Sequence, residues 1–404
     1  MKRSFLLFTA LAVLSGASTL LVGNQTARSQ ISPQVVASYS VLCDLAQQIA
    51  QDTVDVTCLI EAGEDPHVYS ATPSDRRAIE SADLVLYGGY GFEPAIIQMV
   101  EATEGDTPQI AVAEAAVSEP LLGVHHHHGH GSHAGEDHDK EEEHEEHGHE
   151  EHGHEEHSDP DDHHDHDHDD HSEHGEEEHE THSEHSEEDH AHDEEGHDHG
   201  EEDHDDHSEH GDEEKEPDPH VWHDAENGIA MARVIQTQLS EAFPANADLY
   251  QTNAEGLIAQ LTQLDTWIQQ QIETVPESQR VLVTTHDAMS YYGEAYGIRI
   301  EAALESLSTE ARPSAADLRE LIDIVEDSNI PTIFIETTSN PGLIEAVSRE
   351  TDIAISEEPL YADSLGEAGT PAATYTGMLM TNTCTIVSGL GGRCNEATAQ
   401  AFLE

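Results

Sequence analysis

Short apolar runs and amphipathic segments alternate along two stretches of this 404-residue chain. Apolar runs of strand length, separated by segments with helical periodicity, are typical of alternating strands and helices. Strands are predicted at residues 35–38, 54–60, 84–87, 109–113, 281–285, 332–336 and 353–356. Helices are predicted at residues 42–50, 74–80, 94–100, 225–243, 317–327, 342–350 and 374–387. The alternation predicts an α/β fold with parallel sheets.

One amphipathic segment, residues 246–274, is much longer than the others. Its apolar residues recur at helical spacing and are Leu257, Leu261, Leu264, Ile268 and Ile272. At 1.5 Å per residue the helix would be about 40 Å long, which exceeds one small domain. We therefore expect a strut that joins two α/β lobes, with a ligand bound between them.

The chain divides into five predicted segments. They are a signal peptide at residues 1–29, an N-terminal lobe at 33–124 and 217–243, a histidine-rich disordered loop at 125–216, a linking helix at 246–275 and a C-terminal lobe at 280–404.

The N-terminus predicts export. Lys2 and Arg3 precede an apolar run at residues 5–13, and small residues follow it, which is the order of a secretory signal. A membrane anchor is the alternative, but polar residues interrupt the apolar stretch before the roughly 20 residues that a span needs. No Cys lies near the cleavage region, so we expect a cleaved signal, no lipid anchor and a periplasmic location.

The histidine-rich tract (residues 125–216) consists almost entirely of His, Asp, Glu, Gly and Ser. This composition cannot form an apolar core, so we expect the tract to be disordered without metal. All but four of the chain's 33 histidines lie in it. Imidazoles interleaved with carboxylates predict low-affinity metal sites, and a solvated spacer is the alternative. The first of these ligands are His125, His126, His127, His128 and His130.

The chain carries a formal charge of −72. Such an acidic protein does not favour nucleic acid or an anionic membrane surface, whereas divalent metal cations suit it. Its four cysteines form two sequence-local pairs in an exported chain, which predicts the disulfides Cys43–Cys58 and Cys384–Cys394 among three possible connectivities. A Cys-only metal site is the alternative, but neither pair has the short CxxC spacing.

The histidines outside the tract are His67, His220, His223 and His286. Three of them lie at strand or loop junctions, where the ligand-binding groups of α/β sheets gather. A lone histidine of this kind is more often a hydrogen-bonded loop residue. However, His67 and His220 share a Pro-His-Val-aromatic pattern, and His286 ends an apolar strand. We predict these three as ligands of Zn²⁺, and Asp363, after the last strand, as the fourth.

His223 lies two residues past Trp222 at the start of a helix. We predict a surface or helix-capping role for it rather than metal binding.

Six motifs together resemble the metal-binding solute-binding proteins of ABC importers, in particular the zinc-type, ZnuA-like members. The motifs are Pro-His-x-Tyr at residues 66–69, Thr-Pro-Ser-Asp at 72–75, Asp-Pro-His-Val-Trp at 218–222, Thr-His-Asp-Ala at 285–288, Pro-Ser-Ala-Ala-Asp at 313–317 and Asp-Ser-Leu-Gly at 363–366. The resemblance covers about residue 33 to the end, with the histidine-rich tract as an insert.

The resemblance implies a periplasmic or extracellular receptor that delivers metal to an ABC permease and its ATPase at the inner membrane, with two lobes joined by a rigid helix. It also implies that His67, His220 and His286 occupy the three ligand positions, and that the fourth ligand is Asp363, water or a Glu from elsewhere. Manganese-type members have Glu where this chain has His286. Three imidazoles suit Zn²⁺ better than Mn²⁺, so we expect a zinc receptor.

Three other functions are alternatives to a zinc receptor. A manganese or broad divalent-metal receptor would keep the same fold, and a metal storage protein would use mainly the histidine-rich tract. A zinc hydrolase would need a general base, and only Glu64 and Asp287 flank the predicted ligands. We therefore expect a monomeric receptor that is not an enzyme and has no nucleic-acid partner.

Overall fold

A computed structural model describes residues 32–124 and 215–403, except residues 305, 311, 313 and 329. The predicted signal peptide and nearly all of the histidine-rich tract lie outside these residues. The described part is a mixed α/β structure with parallel sheets and one long helix, which confirms the predicted fold class. None of its helices is long and apolar enough to cross a membrane.

The first sheet has four parallel strands in the order β2-β1-β3-β4. The strands are β1 Gln34–Tyr39, β2 Asp55–Ile60, β3 Leu84–Tyr87 and β4 Gln109–Ala111. The helices that alternate with them are α1 Ser40–Ala50, α2 Pro73–Ser81, α3 Pro94–Glu101 and α4 Val112–Ala116. The predicted strand 109–113 was wrong at its end, because Val112 and Ala113 begin α4, where both are buried.

A short antiparallel hairpin follows, formed by β5 Leu122–Val124 and β6 Lys215–Pro217. The sequence interpretation had placed Lys215 and Glu216 inside the disordered tract. Both are paired residues of β6, so the ordered chain resumes earlier than predicted. The two ends of the tract therefore start from adjacent strands.

Two helices follow, α5 Ala225–Ala242 and α6 Ala247–Ile272, separated by a turn that begins at Pro244. The α6 helix contacts α1, α5, α10 Tyr375–Gly389 and α11 Glu396–Leu403. Its predicted apolar stripe is buried, with Leu261, Leu264 and Ile268 inaccessible to solvent. The assignment of residues 246–275 as the link between lobes stays a prediction.

Truncating this stripe should destabilise the fold. Leu264→Ala should lower the free energy of unfolding by about 2–5 kcal/mol, because it leaves a cavity in a packed interface. Gln263→Ala, at the exposed neighbouring position, should change it by no more than about 0.5 kcal/mol. Urea denaturation followed by circular dichroism would measure both variants, and equal midpoints would contradict the packing role of α6.

The second half of the chain contains β7 Val281–His286 paired with β8 Arg299–Leu304, and β9 Thr332–Ile333 paired with β10 Ala354–Ile355, all parallel. Phe334 N donates to Val283 O at 2.9 Å and joins the two pairs. The remaining helices are α7 Ser290–Tyr296, α8 Ala315–Asp327 and α9 Gly342–Thr351. The sequence interpretation missed β8, α7 and α11, and it made β9 and β10 too long.

A separate small apolar core supports this half. Its buried residues are Val283, Leu321, Val325, Ile330, Ile333, Ile344 and Val347. The larger core contains residues of the first sheet and of α5, α6 and α10, and it also includes Leu282 of β7 and Phe334. The larger core therefore extends into the second half of the chain, and the division into two lobes stays a prediction.

Both predicted disulfides are present. Cys43 of α1 is bonded to Cys58 of β2, with Cα atoms 5.6 Å apart. Cys384 of α10 is bonded to Cys394, with Cα atoms 5.1 Å apart. Closing loops of this size is worth about 3 kcal/mol each in the chain-entropy account.

Candidate metal centre

The structure brings the four predicted ligands together from four separate parts of the chain. His67 follows β2, His220 precedes a short 3₁₀ helix, His286 ends β7, and Asp363 follows the segment paired with Glu336. None of these four side chains, called here the ligand cluster, is more than 4% exposed. Within the described residues, this is the one group of His, Cys, Asp or Glu side chains whose arrangement could hold a metal ion.

Four separations between donor atoms of the ligand cluster are nearly equal. Asp363 Oδ1 lies 3.5 Å from His67 Nε2, 3.2 Å from His220 Nε2 and 3.3 Å from His286 Nε2. His67 Nε2 and His220 Nε2 are 3.3 Å apart. Ligands at 2.0–2.1 Å from a tetrahedral Zn²⁺ are separated by about 3.3–3.4 Å. These four separations match those around a tetrahedral ion of this size, and all four donor atoms lie within 4.8 Å of one another.

Two carboxylates orient two of the imidazoles. His220 Nδ1 donates to Asp218 Oδ1 at 2.8 Å, and His286 Nδ1 donates to Glu336 Oε2 at 2.6 Å. A proton held on Nδ1 directs the Nε2 lone pair of each ring toward the ligand cluster. Carboxylate partners of this kind fix the ring orientation and raise the basicity of a metal-binding histidine.

The Asp-Pro-His sequence shared by the first two ligands forms the same turn twice. Asp65 Oδ1 accepts from His67 N at 2.9 Å, and Asp218 Oδ1 accepts from His220 N at 2.9 Å. An Asp side chain that bonds the backbone two residues on is an Asx turn, which is locally encoded. The turns differ in their second contact, because Asp65 Oδ2 accepts from Thr309 Oγ1 at 2.7 Å.

Two atoms of the ligand cluster are buried without a hydrogen-bond partner, His286 Nε2 and Asp363 Oδ1. Buried polar atoms are nearly always paired, so such atoms require an explanation. A cation between them would supply one. The other oxygen, Asp363 Oδ2, accepts a hydrogen bond from Thr338 Oγ1 at 2.6 Å.

The ligand cluster is strongly coupled electrostatically. Burial lowers the pKa of His67. Burial also opposes a charge on His220, but its carboxylate neighbours outweigh burial and raise the pKa to about 9. Glu336 and Asp363 raise the pKa of His286 well above its usual value against the effect of burial. Burial disfavours the Asp363 carboxylate, yet the three imidazoles hold its pKa well below the ordinary range.

Aromatic rings line one side of the ligand cluster. The Phe92 ring centroid lies 5.0 Å from that of His67 and 5.6 Å from that of His220, and Phe92 is fully buried. The ring of Trp222, also buried, lies 5.5 Å from the ring of His220. This apolar wall keeps water from one side and strengthens the electrostatic interactions at the donor atoms.

The predicted surface or capping role of His223 was wrong. His223 is fully buried, its Nε2 donates to Ala362 O at 2.8 Å, and burial lowers its pKa to about 3. Asp224 caps α5 instead, by accepting from Glu226 N. His223 is therefore neutral and supports the backbone next to Asp363.

Sequence reasoning missed three supporting residues, which are Asp218, Glu336 and Thr338. Asp218 stood in a recognised motif, and its spacing of two from His220 was the available signal. Glu336 and Thr338 carried no signal, because their partners are separated by 50 and 25 residues in sequence. The predicted tract ligands, beginning at His125, lie outside the described residues.

Comparison with known proteins identifies the family. Residues 35–389 match the ZnuA family model, which is described as zinc-uptake complex component A, periplasmic. The chain belongs to the ZnuA family. It is thus a metal-binding solute-binding protein of ABC importers, and its fold and recognised motifs agree with that membership.

Relatives within the ZnuA family carry names with different metals. The chain is 28% identical over 362 residues to the manganese-binding lipoprotein MntA of Bacillus subtilis, covering 88% of this chain and 89% of MntA. It is 25% identical over 386 residues to the zinc-binding protein TroA of Treponema pallidum, covering 94% of this chain and 96% of TroA.

The fold is similar to solved structures. The periplasmic zinc-binding protein TroA of Treponema pallidum superposes with a TM-score of 0.64 at 24% identity, covering 90% of this chain and all of TroA. The Mn-bound periplasmic metal-binding protein of Candidatus Liberibacter asiaticus gives a TM-score of 0.61 at 23% identity, covering 89% of this chain and 100% of that protein. At these identities the likeness concerns the fold alone.

Proposed function

We propose that this protein is a periplasmic zinc receptor that binds one Zn²⁺ through His67, His220, His286 and Asp363 and delivers it to an ABC permease driven by an ATPase. The observation that carries the proposal is the spacing of the four donor atoms. Every separation involving Asp363 Oδ1 lies between 3.2 and 3.5 Å, as a tetrahedral shell requires.

The choice of zinc over manganese rests on the donor set. Three imidazole nitrogens and one carboxylate oxygen suit Zn²⁺, whereas Mn²⁺ prefers more oxygen ligands in an octahedral arrangement. The name of TroA supports zinc and that of MntA supports manganese, so the relatives alone do not decide. A manganese or broad divalent-metal receptor is therefore the second candidate.

The proposed compartment and partners follow from the family and from the covalent structure. The family description is periplasmic, and two disulfides suit an oxidising compartment outside the cytoplasm. We further propose a cleaved signal peptide at residues 1–29, no lipid anchor, and action as a monomer. The histidine-rich tract would add weaker metal sites, since a flexible segment must lose entropy to surround an ion.

A hydrolase is disfavoured by the arrangement of the site. A catalytic zinc keeps one coordination position open for water, whereas the four proposed protein donors would occupy all tetrahedral positions. Of the flanking carboxylates, the exposed Glu64 accepts from Glu61 N at 2.8 Å and Asp287 accepts from Ser290 Oγ at 2.7 Å. Neither contact directs a base at a metal-bound water.

Zinc titration of a chain without the tract tests the proposal. Residues 125–214 would be replaced by Asn-Gly, because Val124 and Lys215 are paired in an antiparallel hairpin that a two-residue turn can close. We expect one tight equivalent of Zn²⁺ to remain and the weaker equivalents of the full chain to disappear. Loss of all tight binding, with an unchanged circular dichroism spectrum, would contradict the proposal.

The full-length chain separates transport from storage. One tight site above a background of weak sites indicates a receptor, while many equal sites would indicate storage in the histidine-rich tract. Elemental analysis of protein purified without added metal would then identify the bound ion in each chain.

A further inference from the structure

The two oxygens of Asp363 have different environments. Oδ1 faces all three histidine Nε2 atoms at 3.2–3.5 Å and has no hydrogen-bond partner. Oδ2 accepts a short hydrogen bond, 2.6 Å, from Thr338 Oγ1. The carboxylate is fully buried, so water does not compete for either oxygen.

We propose that Thr338 determines metal specificity by holding Asp363 in a one-oxygen binding mode. The inference rests on the proposed function, because it concerns the metal that the ligand cluster takes. Thr338 is a positioning residue that acts through Asp363. Its hydroxyl occupies the oxygen that would otherwise turn toward the ion and make the carboxylate bidentate.

The number of oxygens offered by Asp363 decides between coordination geometries. With Oδ1 alone, the ligand cluster provides three nitrogens and one oxygen, a complete tetrahedral shell for Zn²⁺. With both oxygens, it would provide five donors, of which two are oxygens. That arrangement suits Mn²⁺ and other ions that prefer higher coordination numbers. The hydrogen bond from Thr338 therefore favours zinc and disfavours manganese.

The backbone around Thr338 is held in place independently of the ligand. Glu336 is paired with Leu360, and Thr337 N donates to Leu360 O at 2.9 Å. These contacts fix the segment carrying Thr338 against the segment that leads to Asp363. This strand-like pairing therefore places the Thr338 hydroxyl next to Asp363 Oδ2.

The same short segment supports a second ligand. Glu336 Oε2 accepts from His286 Nδ1 at 2.6 Å, and Ser339 Oγ donates to Glu336 Oε2 at 2.8 Å. Glu336 orients an imidazole, whereas Thr338 controls a carboxylate. A substitution of Thr338 should therefore change the number of donor atoms that the ligand cluster offers to the metal. A substitution of Glu336 should not.

The test replaces the hydroxyl by a methyl group of the same shape. Thr338→Val in the full-length chain should weaken Zn²⁺ binding by about tenfold. This is the lower end of the roughly 10–100-fold range for loss of a residue that supports a metal ligand. The affinity for Mn²⁺ should stay the same or increase, so the ratio of Zn²⁺ to Mn²⁺ affinity should fall by about tenfold or more. Chelator competition would measure both affinities, with Trp222 fluorescence reporting occupancy next to His220.

Cobalt spectroscopy reads the geometry directly. Tetrahedral Co²⁺ absorbs much more strongly in the visible range than five- or six-coordinate Co²⁺. The spectrum of each chain would be taken after subtracting that of the same chain with His67→Ala and His220→Ala, which removes the contribution of the histidine-rich tract. The wild type should give the intense spectrum and Thr338→Val a weaker one.

Two matched variants complete the test. Thr337→Val changes the exposed neighbouring threonine, whose hydroxyl does not bond Asp363, and should leave the affinity ratio and spectrum unchanged. Thr338→Ser keeps the hydroxyl and should give the affinity ratio and the Co²⁺ spectrum of the wild type. If Thr338→Val lowers both affinities by the same factor, or keeps the tetrahedral spectrum, the inference is wrong. If the wild type itself shows no difference spectrum, the proposed function fails instead.

Discussion

A tract-deleted chain carrying both His67→Ala and His220→Ala should bind zinc about four orders of magnitude more weakly than the tract-deleted parent. Zinc sites of this kind contribute about 12 kcal/mol of binding free energy at neutral pH. If four ligands share it equally, the loss of two removes about 6 kcal/mol, or roughly a 10⁴-fold change in the dissociation constant. Competition against a chelator of known affinity would measure this difference.

The control for this double variant is Val68→Ala, which changes the residue beside His67. Val68 is 49% exposed, so its truncation should leave the zinc affinity within about threefold. Circular dichroism must show that the double variant keeps its fold. Tight zinc binding by a folded double variant would place the metal outside the ligand cluster and reject the proposed site.

The three histidines of the ligand cluster could be predicted because the position of each depends on local sequence. The Asp-Pro-His turns at His67 and His220 are encoded within three residues, and His286 ends a strand that begins with the apolar residues 281–283. The groups that support the ligands could not be predicted in this way. The contact between His286 and Glu336 joins residues 50 apart, and no local pattern in one sequence indicates such a pair.

The fold was predictable where apolar periodicity was strong. The buried stripe of α6 and the strand β3 agree closely with the predicted ranges. Whether a short apolar run forms a strand or a helix was harder to predict, because a buried helix start and a buried strand have the same pattern over five residues. For this reason Val112 and Ala113 were assigned to β4 although they belong to α4.

Elements with weak periodicity were missed. The strand β8 begins with Arg299 and includes Glu301, so it lacks a continuous apolar run. The helix α7 has only seven residues and contains Gly293, which fits because a Cβ there would approach Ile298 O at 2.6 Å. Tertiary packing, rather than helix propensity, accounts for this glycine.

Three buried carboxylates surround the histidines, and their charge must be balanced in the absence of an ion. Asp218, Glu336 and Asp363 are each at most 1% exposed. Uncompensated buried charges are costly, so protons on the imidazoles are the available counter-charges. The raised pKa values of His220 and His286 express this balance. Metal and protons should therefore compete for the same Nε2 atoms.

Zinc binding by the tract-deleted chain should consequently weaken steeply as the pH falls. With the pKa of His220 raised to about 9 and that of His286 raised well above its usual value, the metal-free form carries protons on both rings at neutral pH. The zinc-bound form carries neither, so binding releases about two protons. Each released proton changes the affinity about tenfold per pH unit, so lowering the pH from 8 to 6 should weaken binding by roughly 10⁴-fold.

Glu336→Gln provides the matched variant for this pH dependence. It removes one of the two carboxylates that raise the pKa of His286, while keeping an acceptor of similar shape near Nδ1. Binding should then release fewer protons than in the parent, and the loss of affinity between pH 8 and pH 6 should be smaller. Chelator competition at each pH measures both slopes. Equal slopes in the two chains would show that Glu336 does not stabilise a proton on His286, and a flat profile in the parent would mean that protons and metal do not compete.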